Sequence, residues 1–197
     1  MNDVIYRFVQ DGLPSHLGGH ENETHIDEGA VNVLLDSYDI KSVLDIGCGP
    51  GGMVEHFKNR GLDVTGIDGD FVVERPESIK DNVLIHDFEK GPWLPELPDV
   101  TYDLAWSVEF VEHIWPKYMP NFIRTFKCCR YVIFTHATPG QPGHHHVNCR
   151  STDYWLGVME SNDFEIDVDV TNKVRNSSTM KERYIRTTGL VFKNLKI

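Results

Sequence analysis

Apolar positions change period several times along the chain and divide it into alternating helix-like and strand-like stretches. Ile26, Ala30, Val33 and Leu34 recur at helical spacing behind Thr24, which with Asp27 three positions on reads as a helix cap; together they predict a helix to about Tyr38. Residues 42–46 form a short apolar run that ends in a glycine cluster, the pattern of a buried strand entering a tight turn. Met53, Val54 and Phe57 then share one helical face, and Gly61 after Arg60 marks its end. Short apolar runs at residues 64–67, 83–86, 104–108 and 131–135 predict four more buried strands.

Phe122, Ile123 and Phe126 place a helix between the fourth and fifth strands, with Pro116 or Pro120 tolerated near its start. Ser151 and Asp153 open another, whose apolar stripe is Trp155, Leu156, Val158 and Met159 and which ends near Asn162. Residues 164–170 alternate apolar with acidic side chains, as in a half-exposed strand near a sheet edge, and residues 188–192 supply its antiparallel neighbour. Residues 69–81, interrupted by Pro76, predict a short helix at most, and the proline-rich residues 89–100 a loop. Residues 171–183 are polar and aperiodic, and mobility is expected there. The pattern as a whole predicts an α/β fold: a doubly wound, mostly parallel seven-stranded sheet with an antiparallel pair at its C-terminal edge. Ligands of such sheets bind outside the C-terminal ends of the strands, near the point where strand order reverses.

A length of 197 residues suits one domain, with a core over residues 24–197 and a segment, residues 1–23, that reads either as an N-terminal lid or as an ordinary loop and cap. Lysine and arginine number 19 against 30 aspartates and glutamates, a formal charge of −11 that opposes polyanions, so neither nucleic acid nor anionic membrane is expected as a partner. Residues 1–10 hold no apolar core of signal-peptide length, and no run of about 18 apolar residues occurs, which predicts a cytoplasmic protein. Cys48, Cys128, Cys129 and Cys149 show no pairing pattern and are expected to be free thiols.

The most informative stretch runs Asp45-Ile46-Gly47-Cys48-Gly49-Pro50-Gly51-Gly52, directly after a strand and before a helix. Residues without Cβ let the backbone turn sharply and approach a ligand, and the following helix start favours anions. As a bare pattern, Gly47, Gly49 and Gly52 fit dinucleotide-binding spacing, whereas Asp45 with Gly47, Gly49 and Gly51 fits S-adenosylmethionine sites. Four successive strand ends then match one family in order. Val43 to Gly51 resembles motif I of the class I S-adenosylmethionine-dependent methyltransferases; Gly66-Ile67-Asp68 resembles the family's acidic position for the ribose hydroxyls. His86-Asp87-Phe88 resembles the position where an acid meets the adenine amino group and an apolar side chain covers the ring. Residues 102–109 followed by Val111-Glu112-His113-Ile114 resemble the fourth-strand motif and its trailing segment. The resemblance covers residues 24–114 and implies a Rossmann-like methyltransferase that binds S-adenosylmethionine and releases S-adenosylhomocysteine. The cofactor residues so implied are Asp45, Gly47, Cys48, Gly49, Gly51, Asp68, Asp87, Phe88 and Ser107. Asp45 reads mainly as a brace for the glycine loop that touches the cofactor's amino group only through water, and Phe88 reads either as an adenine contact or as core.

Methyl transfer needs in-line approach, so positioning can supply much of the catalysis and a general base matters only for some acceptors. Histidines gather where such a base belongs. His113 follows the fourth strand and reads as loop support or base; His136 ends the fifth and is expected to face the same crevice; His144, His145 and His146 sit in a Gly/Pro-rich turn ahead of Asn148 and Cys149. Three adjacent histidines do not converge easily on one ion, and a zinc or iron site would need carboxylates or Cys149 as well, so no metal is assigned. The chain is therefore expected to methylate a small-molecule acceptor. A non-catalytic S-adenosylmethionine-binding protein and a metal-dependent hydrolase built on the histidines are the alternatives.

Overall fold

Seven strands make a single sheet in the computed structural model, which describes residues 12–96 and 101–197. They are β1 (Ser42–Ile46), β2 (Asp63–Asp68), β3 (Val83–Ile85), β4 (Tyr102–Ser107), β5 (Cys129–Phe134), β6 (Phe164–Ile166) and β7 (Leu190–Asn194), in the order β3-β2-β1-β4-β5-β7-β6. β1 to β5 run parallel, and β7 lies antiparallel between β5 and β6, as the alternating C-terminal pattern predicts. Strand order reverses between β1 and β4, where Asp45 stands beside Trp106.

Helices cover both faces because the central strands are apolar on both. Val43, Leu104, Trp106 and Ile133 bury one side of the pleat under α1 (Glu28–Ser37), α2 (Gly52–Asn59), α5 (Val168–Ser177) and α6 (Tyr184–Thr188). Their neighbours Leu44, Ala105, Val132 and Phe134 bury the other under α3 (Met119–Phe126) and α4 (Thr152–Glu160). Each fully buried Val, Leu or Phe contributes about 1.5–3 kcal/mol, so these layers dominate the stability of the frame that carries the site.

Several expectations need correction. α1 is capped by Asp27, not Thr24: the Asp27 carboxylate accepts the Ala30 N–H at 2.9 Å and the Thr179 N–H at 2.9 Å, while Thr24 Oγ1 accepts the Gly52 N–H at 3.2 Å. β3 is an edge strand, with Leu84 and Ile85 exposed. The strand expected over residues 164–170 stops at Ile166, because Asp167 caps a helix there by accepting the Val170 N–H at 3.0 Å. Val170 and Val174, one turn apart, then pack against the α1 side of the core, so residues 171–177 are helical. Residues 69–81 hold only a short 3-10 helix, Glu77–Asn82, at their end, and the proline-rich loop falls partly outside the described residues. All four cysteines are free.

Candidate functional site

The chain leaves β1 at Ile46 and turns through Gly47, Gly49 and Gly51 at φ of +79°, +51° and +87° before α2 begins. A Cβ on Gly47 would lie 2.6 Å from Phe110 Cδ2 and 2.9 Å from its Cβ, so that position needs glycine for space as well as for conformation, whereas one on Gly51 would meet the tip of the Ile79 side chain at 2.4 Å. The loop is tied to β2. Gly47 N–H and Cys48 N–H donate to the Ile67 carbonyl at 2.8 and 3.2 Å, and Gly49 N–H donates to Asp68 Oδ2 at 2.8 Å. Asp68 Oδ1 accepts the Asp70 N–H at 2.7 Å, and Arg75 grips both segments by donating to the Gly49 and Asp70 carbonyls at 3.0 Å each.

A cavity of about 480 Å³ opens above this turn, within the range of small-molecule sites. Asp45, Gly47, Cys48, Gly49 and Asp68 line it, as do His113, His144 and His146. Asp45 is buried and its Oδ2 has no hydrogen-bond donor among the described residues; burial, with the Asp68 charge nearby, pushes its carboxyl up to about 8. Such an oxygen is suited to a cation or strong donor entering the cavity.

The remaining residues assigned from sequence stand outside this lining. Gly51 serves packing against Ile79. Ser107 Oγ donates to the Ile46 carbonyl at 3.0 Å and fastens β4 to β1. Phe88 is buried edge-on against Phe110, with ring centres 5.3 Å apart, so in this structure it is core. Asp87 accepts the Glu89 N–H at 2.9 Å and a bond from His16 Nε2 at 3.2 Å. His136 does not face the crevice. It is 1% exposed, receives the Thr152 hydroxyl on Nε2 at 3.1 Å and packs by Trp155; burial lowers its pKa, so it is a neutral core residue. His145, at φ +45°, turns its ring edge-on to Trp115, 5.8 Å away.

Residues 16–20, within the segment that the sequence reads as a lid or as an ordinary loop, line the cavity: His20 Nε2 bonds Asp70 Oδ2 at 3.0 Å, Leu17 packs over Gly69, and Gly19 meets the His144 ring. One feature was not legible in sequence. Glu109, quoted above only as the end of a motif, enters the wall at φ +54°. Its N–H donates to Thr135 Oγ1 at 2.8 Å and its Oε1 accepts that hydroxyl at 3.0 Å, a clamp that holds a left-handed backbone unfavourable to a residue with Cβ. The histidine turn is strapped down equally firmly. Val147 N–H and Asn148 N–H both donate to the Glu112 carbonyl at 3.0 Å, and His113 Nδ1 donates to the His144 carbonyl at 2.7 Å.

Comparison with known proteins agrees with this geometry. The family described as "Methyltransferase domain" matches residues 21–157. The chain is 36% identical over 81 residues to malonyl-[acyl-carrier protein] O-methyltransferase of Salmonella typhimurium, covering 40% of this chain and 31% of that protein. It is 31% identical over 99 residues to ubiquinone biosynthesis O-methyltransferase of Acinetobacter baumannii, covering 47% and 39%. The matches thus span only a third to two fifths of these relatives. Among solved structures, a SAM-dependent methyltransferase from Archaeoglobus fulgidus superposes with a TM-score of 0.56 at 18% identity, over 78% of this chain and 86% of that one, a likeness of fold. The family model spans residues 21–157, which hold the glycine turn, the acidic end of β2 and the histidine turn, and the chain belongs to the class I S-adenosylmethionine-dependent methyltransferase family.

Proposed function

We propose that the chain transfers a methyl group from S-adenosylmethionine to a small-molecule acceptor, chiefly by holding the two in line. The observation that carries this reading is the unpartnered Oδ2 of buried Asp45 in the cavity, beside the turn of Gly47 and Gly49 that lines it. When bound, S-adenosylmethionine supplies an electrophilic methyl on sulfur and leaves as S-adenosylhomocysteine.

The chain's own residues fit that group. Asp45, with its unpartnered Oδ2, would accept the cofactor's ammonium, and the Gly47–Gly49 backbone would hold its amino-acid end. Asp68 uses one acceptor site per oxygen on Gly49 and Asp70, and a carboxylate offers about four, so its remaining lone pairs accept the ribose hydroxyls. Asp87, which His16 bonds from residues 16–20, would hold the adenine end. Residues 16–20 exclude water, and His113, His144 and His146 flank the acceptor. In-line positioning of two bound reactants is worth up to about 7–11 kcal/mol, enough to make a dedicated base secondary. The O-methyltransferase relatives support an oxygen acceptor. A cytoplasmic location belongs to the same reading; no described helix is long and apolar enough to cross a membrane.

Thermal shift tests the cofactor and a labelled-methyl screen tests the reaction. S-adenosylhomocysteine is expected to raise Tm and NAD to leave it unchanged, with label passing from S-adenosylmethionine to a component of a metabolite extract. Stabilisation by NAD alone overturns the reading, and tight cofactor binding without transfer to any extract favours a non-catalytic binder.

A further inference from the structure

Glu112 is fully buried beside the histidine wall, and neither of its carboxylate oxygens has a hydrogen-bond donor of normal geometry. The backbone N–H groups of Glu112 and Ala137 face it without closing such a bond, and the Glu109 carboxyl lies within hydrogen-bonding reach of it, so that one proton can be shared between the two carboxyls. No lysine or arginine pairs with it among the described residues. A carboxyl buried this way costs free energy unless a proton or a cation completes it.

The histidines next to it are prepared for a cation. His113 Nδ1 donates to the His144 carbonyl at 2.7 Å and His146 Nδ1 donates to the Gln141 carbonyl at 3.1 Å. A carbonyl can only accept, so each bond fixes the proton on Nδ1 and leaves Nε2 with a bare lone pair, the arrangement found behind most metal-bound histidines. The two rings lie 5.0 Å apart between centres, and one ligating atom from each of Glu112, His113 and His146 lies within 4.8 Å of the others. Ligands of a tetrahedral ion with bonds of about 2.0–2.1 Å sit about 3.3 Å apart, a closure within reach of side-chain rotation. The left-handed backbone at His145 sends that side chain away, so three consecutive histidines deliver one to this cluster. The carboxylate that the histidine turn lacks comes from the segment after β4, to which the Glu112 carbonyl straps it.

We propose that Glu112, His113 and His146 form a three-ligand site for a divalent first-row transition-metal ion, open toward the cavity. Two imidazoles with one carboxylate suit the zinc, cobalt, iron and manganese group better than magnesium or calcium, and the open side takes an oxygen donor from a cavity ligand.

Cobalt titration of chelator-stripped, untagged full-length protein tests this without recourse to methyl transfer. One Co2+ per chain is expected, with visible d–d absorption that Zn2+ abolishes. Glu112→Gln and His146→Ala should each weaken binding at least tenfold, while His145→Ala keeps it. Absence of a stoichiometric band, or a band unchanged in both ligand variants, overturns the site. If Glu112→Gln fails to fold, His146→Ala alone decides. Because the readout is the ion itself, its failure leaves the cofactor result of the thermal-shift test standing, and the reverse holds too.

Discussion

Asp68 Oδ2 accepts the Gly49 N–H at 2.8 Å, so the carboxylate at the end of β2 sets the shape of the turn at the end of β1. Asp68→Ala removes that clamp together with the proposed acceptor for the ribose hydroxyls. A charge-assisted bond is worth about 1.5–3 kcal/mol, and S-adenosylhomocysteine affinity by calorimetry should fall about ten- to hundredfold. An unchanged Kd removes Asp68 from the cofactor site.

In the proposed site, Asp45 should make cofactor binding depend on pH. Burial and Asp68 raise its carboxyl to about 8, whereas an ammonium beside it favours the ionised form, so below about 8 binding must release a proton. Affinity should rise about tenfold per pH unit toward 8, and calorimetry in buffers of different ionisation heat should report a released proton that Asp45→Asn abolishes. The stability of the free protein is expected to show the opposite slope. A raised folded pKa means that this group's contribution to stability is full below the ordinary aspartate value of 3.8 and is lost as pH rises through about 8. Equal pH slopes for wild type and Asp45→Asn contradict the assignment.

Gly51 tests whether the glycine turn is shaped by ligand or by packing. Gly51→Ala places Cβ 2.4 Å from Ile79 Cδ1 at φ +87°, and should destabilise by about 1–3 kcal/mol in urea unfolding. Ile79→Val deletes that methyl group. The double variant should therefore lose less than the sum of the singles, by at least about 0.5 kcal/mol. Strict additivity would mean that the backbone angle alone excludes alanine.

His136 separates burial from catalysis. His136→Ala vacates a packed position beside Trp155 and leaves the Thr152 hydroxyl without its acceptor, so unfolding free energy should drop by about 2–4 kcal/mol. S-adenosylhomocysteine Kd at a temperature where the variant is folded should stay within about twofold of wild type. A large loss of affinity with normal stability would return His136 to the site.

The strands and the glycine turn were legible because their signals are local. An apolar run such as residues 42–46 must bury both faces wherever it goes, and Gly47, Gly49 and Gly51 announce a backbone that other residues resist. Local signals misled where one residue type serves two structures. Glu165, Asp167 and Asp169 alternate as on a strand, yet Asp167 caps a helix whose Val170 and Val174 are buried in the core cluster shared with Ala30 and Leu34 of α1, far off in sequence. Direction was equally hidden. His136 follows β5 as expected, but the packing of α4 against the sheet turns its ring away from the cavity, and the same kind of distant strap brings His146 to His113 and Glu112. By itself, then, the sequence determined the layered sheet, the cofactor turn and the family, which rest on periodicity and backbone freedom within a few residues. Only the tertiary structure decided which titratable side chains share a cavity, because that choice is made by packing between segments that the chain keeps far apart.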